Sequence, residues 1–251
     1  MYAETEGIIL KQIKAVNGRR MALLFSKKYG KISVAAGAND KVGSRFALAL
    51  RPFTHARYEL FKNREVYNIK AAEVVKVYFG IGEDVEKYMC ASFALEFAEK
   101  LLPEGIPSVE LFRLLLDFFD IIETRKKKHM TIVMAYQLKA IQIMGLAPET
   151  DRCVRCGAKE DLKFFDVKEG GTLCGGCRNY ISGSDNEALI YDLDFDIINV
   201  LSYFLGNNLK SLEHIALDEK ILARLRVIIK EYRTYHLGIK ELKSEDFLMI
   251  N

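Results

Sequence analysis

Phe53-Thr54-His55-Ala56-Arg57-Tyr58-Glu59-Leu60-Phe61 sets Thr54, Ala56, Tyr58 and Leu60 on one face and His55, Arg57 and Glu59 on the other. That period of two is the signature of a strand with one buried face. Outward from it the pattern recurs. Asn63-Arg64 marks a turn into a second run, Val66 to Val77. Upstream lie Ile8-Ile9-Leu10, Met21-Ala22-Leu23-Leu24-Phe25 and Ile32-Ser33-Val34-Ala35. Turn residues separate these runs at Asn17-Gly18, Tyr29-Gly30 and Gly37-Ala38-Asn39-Asp40. Five short strands with one longer basic loop in the middle suit a small closed barrel, which leaves no sheet edge exposed. The spacing predicts a β-barrel domain over residues 1–80.

From Glu83 the period changes. Val85, Met89, Phe93, Phe97 and Leu101 recur every four residues, with Cys90, Ala94 and Ala98 beside them. This is a helix with a broad apolar face, stopped by Pro103-Glu104-Gly105. Pro107-Ser108 begins another that turns Leu111, Leu114, Leu115, Phe118, Phe119 and Ile122 inward. A third runs from Met130 to Met144, and two more helical patterns occupy Phe195–Gly206 and Ile221–Tyr232. Residues 81–251 therefore read as a mostly α-helical domain, and the whole chain as an α+β multidomain protein. Irregular sequence at 150–180 is inserted into the helical part.

That insertion holds Cys153-Val154-Arg155-Cys156 and Cys174-Gly175-Gly176-Cys177, two pairs separated by 17 residues. Each CxxC wraps around a metal so that both thiolates point inward, and two such loops complete a tetrahedron. Four thiolates suit one structural zinc ion and leave no open position for water or substrate. Gly157 follows the first pair, and Phe164-Phe165-Asp166-Val167 before Gly170-Gly171 reads as a small hairpin between the two. Three rival readings lack their companions. A redox CxxC needs a thioredoxin-like βαβ pattern, an iron–sulfur centre uses other spacings, and a zinc deaminase needs an H-x-E that His55-Ala56-Arg57 does not supply. Cys90 belongs to the small-residue stripe of its helix and reads as core.

A net charge of +3 conceals an uneven distribution. Residues 1–80 contain 15 Lys and Arg against 6 Asp and Glu, a balance of +9, and the remainder carries −6. A basic first third on an acidic body signals a polyanion-binding face; the blander reading is that lysines solubilise a small β-domain. Lys11, Lys14, Arg19 and Arg20 surround the first turn, Lys27, Lys28 and Lys31 bracket Tyr29-Gly30, and Lys41, Arg45 and Arg51 follow the central loop. Cations that track phosphates, with aromatic faces such as Tyr29 among them, are how barrels of this kind hold single strands. Phe46 and Phe53 also lie among them, and Phe53, opening a strand, reads as core. Arg125-Lys126-Lys127-Lys128 is read first as a solvated turn and second as an accessory phosphate contact.

The four histidines are scattered, and no phosphate-binding loop, dinucleotide fingerprint or nucleophile elbow occurs. Asp192, Asp194 and Asp196 alternate before a helix whose start favours negative charge. No enzyme is expected. No apolar run approaches the ~18–20 residues that span a bilayer, and the opening Met1-Tyr2-Ala3-Glu4-Thr5-Glu6 lacks a signal-peptide pattern. A cytoplasmic, nucleoid-associated chain is the expectation.

Taken in order, several segments resemble the bacterial RecO family of recombination mediators. They are Gly7-Ile8-Ile9-Leu10-Lys11, Tyr29-Gly30-Lys31-Ile32, Gly37-Ala38 with Ser44-Arg45-Phe46, and Leu50-Arg51-Pro52-Phe53. Gly145-Leu146-Ala147-Pro148 leading to Cys153-Val154-Arg155-Cys156-Gly157, and Leu242-Lys243-Ser244 with Phe247-Leu248, complete the set. The resemblance implies an N-terminal OB-fold and a helical zinc domain. It also implies a protein of DNA repair and homologous recombination in the RecF pathway. Such a protein binds single- and double-stranded DNA, anneals complementary strands and helps load recombinase on strands coated with single-stranded-DNA-binding protein (SSB). Implied partners are RecR, the C-terminal tail of SSB and, indirectly, RecA. The alternative reading is a zinc-ribbon transcription or RNA-binding module.

Overall fold

A computed structural model describes residues 2–16, 19–36, 47–63, 66–181, 189–193 and 195–248, with the side chains of 14–20, 195 and 247 outside the description. It divides the chain into two compact units, residues 1–125 with 243–251, and 126–242.

In the first unit, β1 (Tyr2–Val16), β2 (Arg19–Ser26), β3 (Gly30–Ala36), β4 (Thr54–Asn63) and β5 (Val66–Val77) close into a barrel in the order β1-β2-β3-β5-β4. The neighbours β3 and β5 run parallel, Val34 facing Tyr67, and every other pair is antiparallel. This is the five-stranded OB topology. Its interior includes Ile9, Ala22, Leu24, Ile32, Val34, Ala56, Tyr58, Leu60 and Ile69, and Thr54, Ala56, Tyr58 and Leu60 are all buried as the alternation requires. His55, of the opposite parity, is buried as well, because its ring packs against Phe112 and meets Glu6. Phe53 is also buried, with its ring edge-on to Tyr88 and Phe119.

β1 starts six residues before the apolar run Ile8-Ile9-Leu10. Tyr2 pairs with Phe61, Glu4 with Glu59 and Glu6 with Arg57, while Thr5 and Gly7 of the opposite parity are buried. The inward residues of this extension are small or polar, so their period of two carries no hydrophobic signal.

Helices α1 (Phe79–Gly82), α2 (Val85–Leu101) and α3 (Val109–Thr124) belong to the same unit as the barrel. Asp84 caps α2 by accepting from the Lys87 N–H, and Ser108 caps α3 by accepting from the Leu111 N–H. Val85, counted above in the apolar stripe of α2, is 76% exposed; as first residue of the helix it precedes the turn that packs, and Cys90, Phe93, Ala94, Phe97 and Ala98 fill the contact. Lys31 donates to the Glu99 carbonyl in the last turn of α2 at 2.8 Å, and Gly105 donates to the Lys31 carbonyl at 3.0 Å. Gly30 sits at φ +68° against the backbone of Ile106, which a Cβ there would overlap.

The second unit is built round α4 (His129–Ile143), which is buried on nearly every side. Packed with it are α6 (Phe195–Gly206) and α7 (Glu219–Leu237). Arg233 of α7 is fully buried and donates to Gln137 Oε1 at 3.3 Å. A three-stranded sheet of β6 (Leu162–Asp166), β7 (Gly171–Cys174) and β8 (Ile190–Asp192), with the short α5 (Gly175–Asn179), forms the insertion. β8 pairs with β6 across the inserted segment, a strand that sequence periodicity did not mark. The short α8 (Lys243–Phe247) belongs to the first unit. Glu96 of α2 accepts from the backbone N–H groups of Lys243 and Ser244 at its start.

Candidate metal centre and nucleic-acid face

Cys153 and Cys156 lie on the loop after α4, Cys174 closes β7, and Cys177 lies in α5. The first loop is drawn tight by the Cys153 N–H donating to the Ala158 carbonyl at 2.7 Å and the Gly157 N–H to the Cys153 carbonyl at 2.9 Å. It is stitched to β7 by the Val154 N–H on the Thr172 carbonyl and the Thr172 hydroxyl on the Arg152 carbonyl. In the second, Cys174 Sγ accepts from the Cys177 N–H at 3.4 Å. Gly175 presses on the Asp161 carboxylate, which a Cβ would meet at 2.5 Å.

All four sulfurs lie within 4.8 Å of one another, with Cys156 and Cys174 at 3.7 Å. Around an ion with bonds of ~2.3 Å a tetrahedron of thiolates has edges of ~3.8 Å. The four cysteines are free of disulfides, so the spacing suits one bound metal ion. Burial opposes ionisation of Cys153, yet backbone N–H groups of Cys156, Cys174 and Arg155 bring it down to about 6. Cys177, hydrogen-bonded to Cys156 and partly desolvated, is pushed up to about 12. Cys153 is thus ready to bind as a thiolate at neutral pH, and a cation held at the site would draw the proton from the Cys177 thiol. Behind the hairpin, His236 Nε2 donates to the Val167 carbonyl at 2.7 Å and the Tyr232 hydroxyl to the Leu146 carbonyl at 3.1 Å. The first bond ties the insertion to α7, and the second ties α7 to the chain just after α4.

On the barrel, the expected cations have different surroundings. Lys11 pairs with Glu99 at 3.6 Å, and Lys31 donates to the carbonyl of that same residue. Lys27 donates to Glu6 at 2.9 Å. Lys28 and Arg51 are exposed, and Lys28 Nζ stands 5.4 Å over the Tyr29 ring. Tyr29 is half-buried against the barrel interior. Lys41 and Arg45 lie outside the described residues, as do the side chains of Lys14, Arg19 and Arg20.

The fold adds residues that sequence reading missed. Tyr67 of β5 comes within 5.8 Å of Tyr29, centroid to centroid, at 31°. Lys62 of β4, opposite Tyr67 in register, stands 5.3 Å over its ring. Two tyrosines each topped by a lysine therefore meet at one end of the barrel. The basic and aromatic character of Lys62 and Tyr67 was visible in the sequence, but only barrel closure brings them to Tyr29.

Among the described residues, the four cysteines are the one group with metal-ligand geometry. His55 meets Glu6 at 3.0 Å beside Lys27. On the second unit, a groove of about 440 Å³ is lined by Tyr191, Ala223, Val227 and Ile228, with Lys220 and Arg224 contributing cations. No described helix is long and apolar enough to cross a membrane.

The chain matches two protein families, one described as Recombination protein O N terminal over residues 1–78 and one as Recombination protein O C terminal over 82–246. A DNA repair protein RecO of Thermoanaerobacter sp. (strain X514) is 31% identical over 245 residues, covering 98% of this chain and 96% of the relative. Another, from Caldanaerobacter subterraneus subsp. tengcongensis, is 30% identical over 248 residues, with 99% and 98% covered. A third, from Exiguobacterium sibiricum, is 30% identical over 248 residues, with 99% and 96% covered.

Proposed function

The chain belongs to the RecO family of DNA repair proteins, and from that premise we propose that it is a non-enzymatic recombination mediator. It binds single- and double-stranded DNA through the barrel of residues 1–80, anneals complementary strands, and helps place recombinase on strands coated with SSB. The observation that carries this reading is the paired array Lys28–Tyr29 and Lys62–Tyr67 at one end of a barrel segment with a balance of +9. Lysines neutralise phosphate, and tyrosine faces accept bases without regard to sequence.

Annealing needs no bond to be made or broken. Charge neutralisation brings two polyanions together, and base pairing supplies the driving force. Lys28, Arg51 and Lys62 are the described cations we assign to phosphate, with Lys14, Arg19, Arg20, Lys41 and Arg45 completing the set. Lys11, Lys27 and Lys31 adjoin it while also holding Glu99 and Glu6. The ion of the four-cysteine site is zinc, with a structural role, because all four positions are taken by protein.

RecR and SSB are the protein partners of this reading. The acidic SSB tail ends in an aromatic residue and needs a cation beside an apolar seat; the groove of Val227 and Ile228 flanked by Lys220 and Arg224 has that chemistry.

The test is a fluorescence-quenching assay with complementary labelled strands, without nucleotide or added magnesium. Annealing accelerated over the spontaneous rate is the expected result. Strand degradation, a preference for RNA, or no acceleration refutes the reading.

A further inference from the structure

We propose that Tyr2 and Phe61, with Lys70, form a second base-stacking platform on the outward face of β1 and β4, so that a single strand wraps round the β4–β5 hairpin. This rests on the DNA-binding reading above, which places bases on Tyr29 and Tyr67. It carries the contact to the opposite side of the same hairpin.

Tyr2 faces Phe61 in the β1–β4 register, and their ring centroids stand 5.4 Å apart at 59°. Such cross-strand aromatic pairs stabilise a sheet, yet Tyr2 is left 76% exposed beside a half-buried Phe61. The cation beside them comes from a bulge. Ile69 of β5 faces Leu60 and Ala71 faces Glu59, so Lys70 has no register partner in β4. A bulge re-aims the side chain of its extra residue. Lys70 Nζ stands 5.7 Å from the centre of the Phe61 ring.

The two platforms are joined by consecutive register pairs. Lys62 faces Tyr67 and Phe61 faces Asn68, and successive residues of a strand point to opposite sides. Each side therefore offers an aromatic pair with lysine over it, Lys28 and Lys62 on one and Lys70 on the other. That is the chemistry of a strand contact without sequence preference. A strand passing between the platforms crosses Lys62 and Asn63, both exposed. The two residues between β4 and β5, Arg64 and Glu65, add no net charge.

Charge also limits the path. On the next outward rung Glu4 faces Glu59, both exposed, and two neighbouring carboxylates repel phosphate. The strand is thereby kept to the hairpin end instead of running along β1 and β4. A protein-docking hot spot would set the rings among further apolar side chains. Here the register places Asn68 and the two glutamates beside them.

The chain contains no tryptophan, so Tyr2→Trp places a single emitter at the proposed platform. The full chain is titrated with oligothymidylates of about 4 and about 16 nucleotides, which bracket the site sizes of OB barrels. Dye anisotropy reports binding of labelled strands, and indole emission is read with unlabelled ones. The long strand should quench the emission as it saturates, and the short strand, held on Tyr29 and Tyr67, should not. Tyr2→Ala should weaken the long strand by about fivefold or more and spare the short one, while Tyr2→Phe retains both. Lys70→Ala should flatten the salt dependence of the long strand alone. Long-strand binding with unchanged emission overturns the proposal and leaves the DNA-binding reading standing. Equal losses for both lengths in Tyr2→Ala, with a lowered melting temperature, also overturn it and make the ring pair packing alone. No binding of either strand by the unsubstituted chain at low salt removes both readings.

Discussion

The Lys31 ammonium donates to the Glu99 carbonyl at 2.8 Å, across 68 residues of sequence. The acceptor lies in the last turn of α2, where carbonyls lack intrahelical partners and the helix end favours positive charge. Lys28, three residues earlier, is exposed and lies over the Tyr29 ring. Two lysines of one turn thus have separable roles. Lys31→Met should lower stability by about 1–2 kcal/mol in a denaturant melt, whereas Lys28→Ala should leave the melt unchanged.

Salt provides the complementary measurement. If roughly four to six phosphates are neutralised on a single strand, log K should fall against log salt with a slope of about −3 to −4. Lys28→Ala and Lys62→Ala should each flatten that slope by about 0.7 and weaken all sequences alike. A slope near zero for the full chain refutes the electrostatic face.

Tyr29 and Tyr67 lie 5.8 Å apart and flank the barrel interior. If bases stack on them, Tyr67→Ala should cost single-strand affinity about 1–3 kcal/mol while duplex affinity barely moves. Anisotropy titrations with both substrates decide this. Equal losses on both, accompanied by a lowered melting temperature, assign Tyr67 to packing alone.

Purified protein should carry one tightly held zinc per chain by elemental analysis. Cys174→Ser removes a ligand and the acceptor of the Cys177 N–H, so the second unit should melt earlier. Chelation should lower the melting temperature of the unsubstituted chain but not further lower that of the variant. Iron in place of zinc, or a variant that melts normally, contradicts the assignment.

Acid should destabilise the first unit through Glu6 and His55, which meet at 3.0 Å beside Lys27. The Lys27 hydrogen bond holds the Glu6 carboxyl below its ordinary value of 4.5. Burial pushes His55 below 6.5, against the pull of Glu6. Both groups bind fewer protons folded than unfolded, so stability is complete above the unfolded values and declines as pH falls. The His55 contribution goes first, below 6.5, and that of Glu6 below 4.5. The melting temperature should therefore drop between about pH 7 and pH 5, and His55→Gln should flatten that decline. A melting temperature that rises on acidification has the wrong sign.

An acidic peptide ending in an aromatic residue should bind the full chain at low salt, and Val227→Glu in the α7 groove should abolish it. Val227 is half exposed and lines the groove with Ile228, so the substitution introduces repulsion without disturbing a core. Unchanged binding moves the tail to another surface.

Local sequence alone sufficed for most of the barrel strands, the three long helices before residue 145 and the cysteine pairs that the fold clusters. Each is encoded by local spacing: a period of two in Thr54–Leu60, a period near four in Phe93–Leu101, and two cysteines three apart at Cys153 and Cys174. Where the inward residues are Thr5 and Gly7, or where a strand is as short as Ile190–Asp192, that spacing has no apolar content, and β8 and the start of β1 were illegible. Tertiary structure alone decided what each cation faces. Lys28 and Lys31 are indistinguishable by composition, yet one covers a ring and the other caps α2. Tyr67 meets Tyr29 only because β3 and β5 pair in parallel to close the barrel. Burial pattern is a local property that sequence records directly, whereas the partner of a long polar side chain depends on the register between segments distant in the chain.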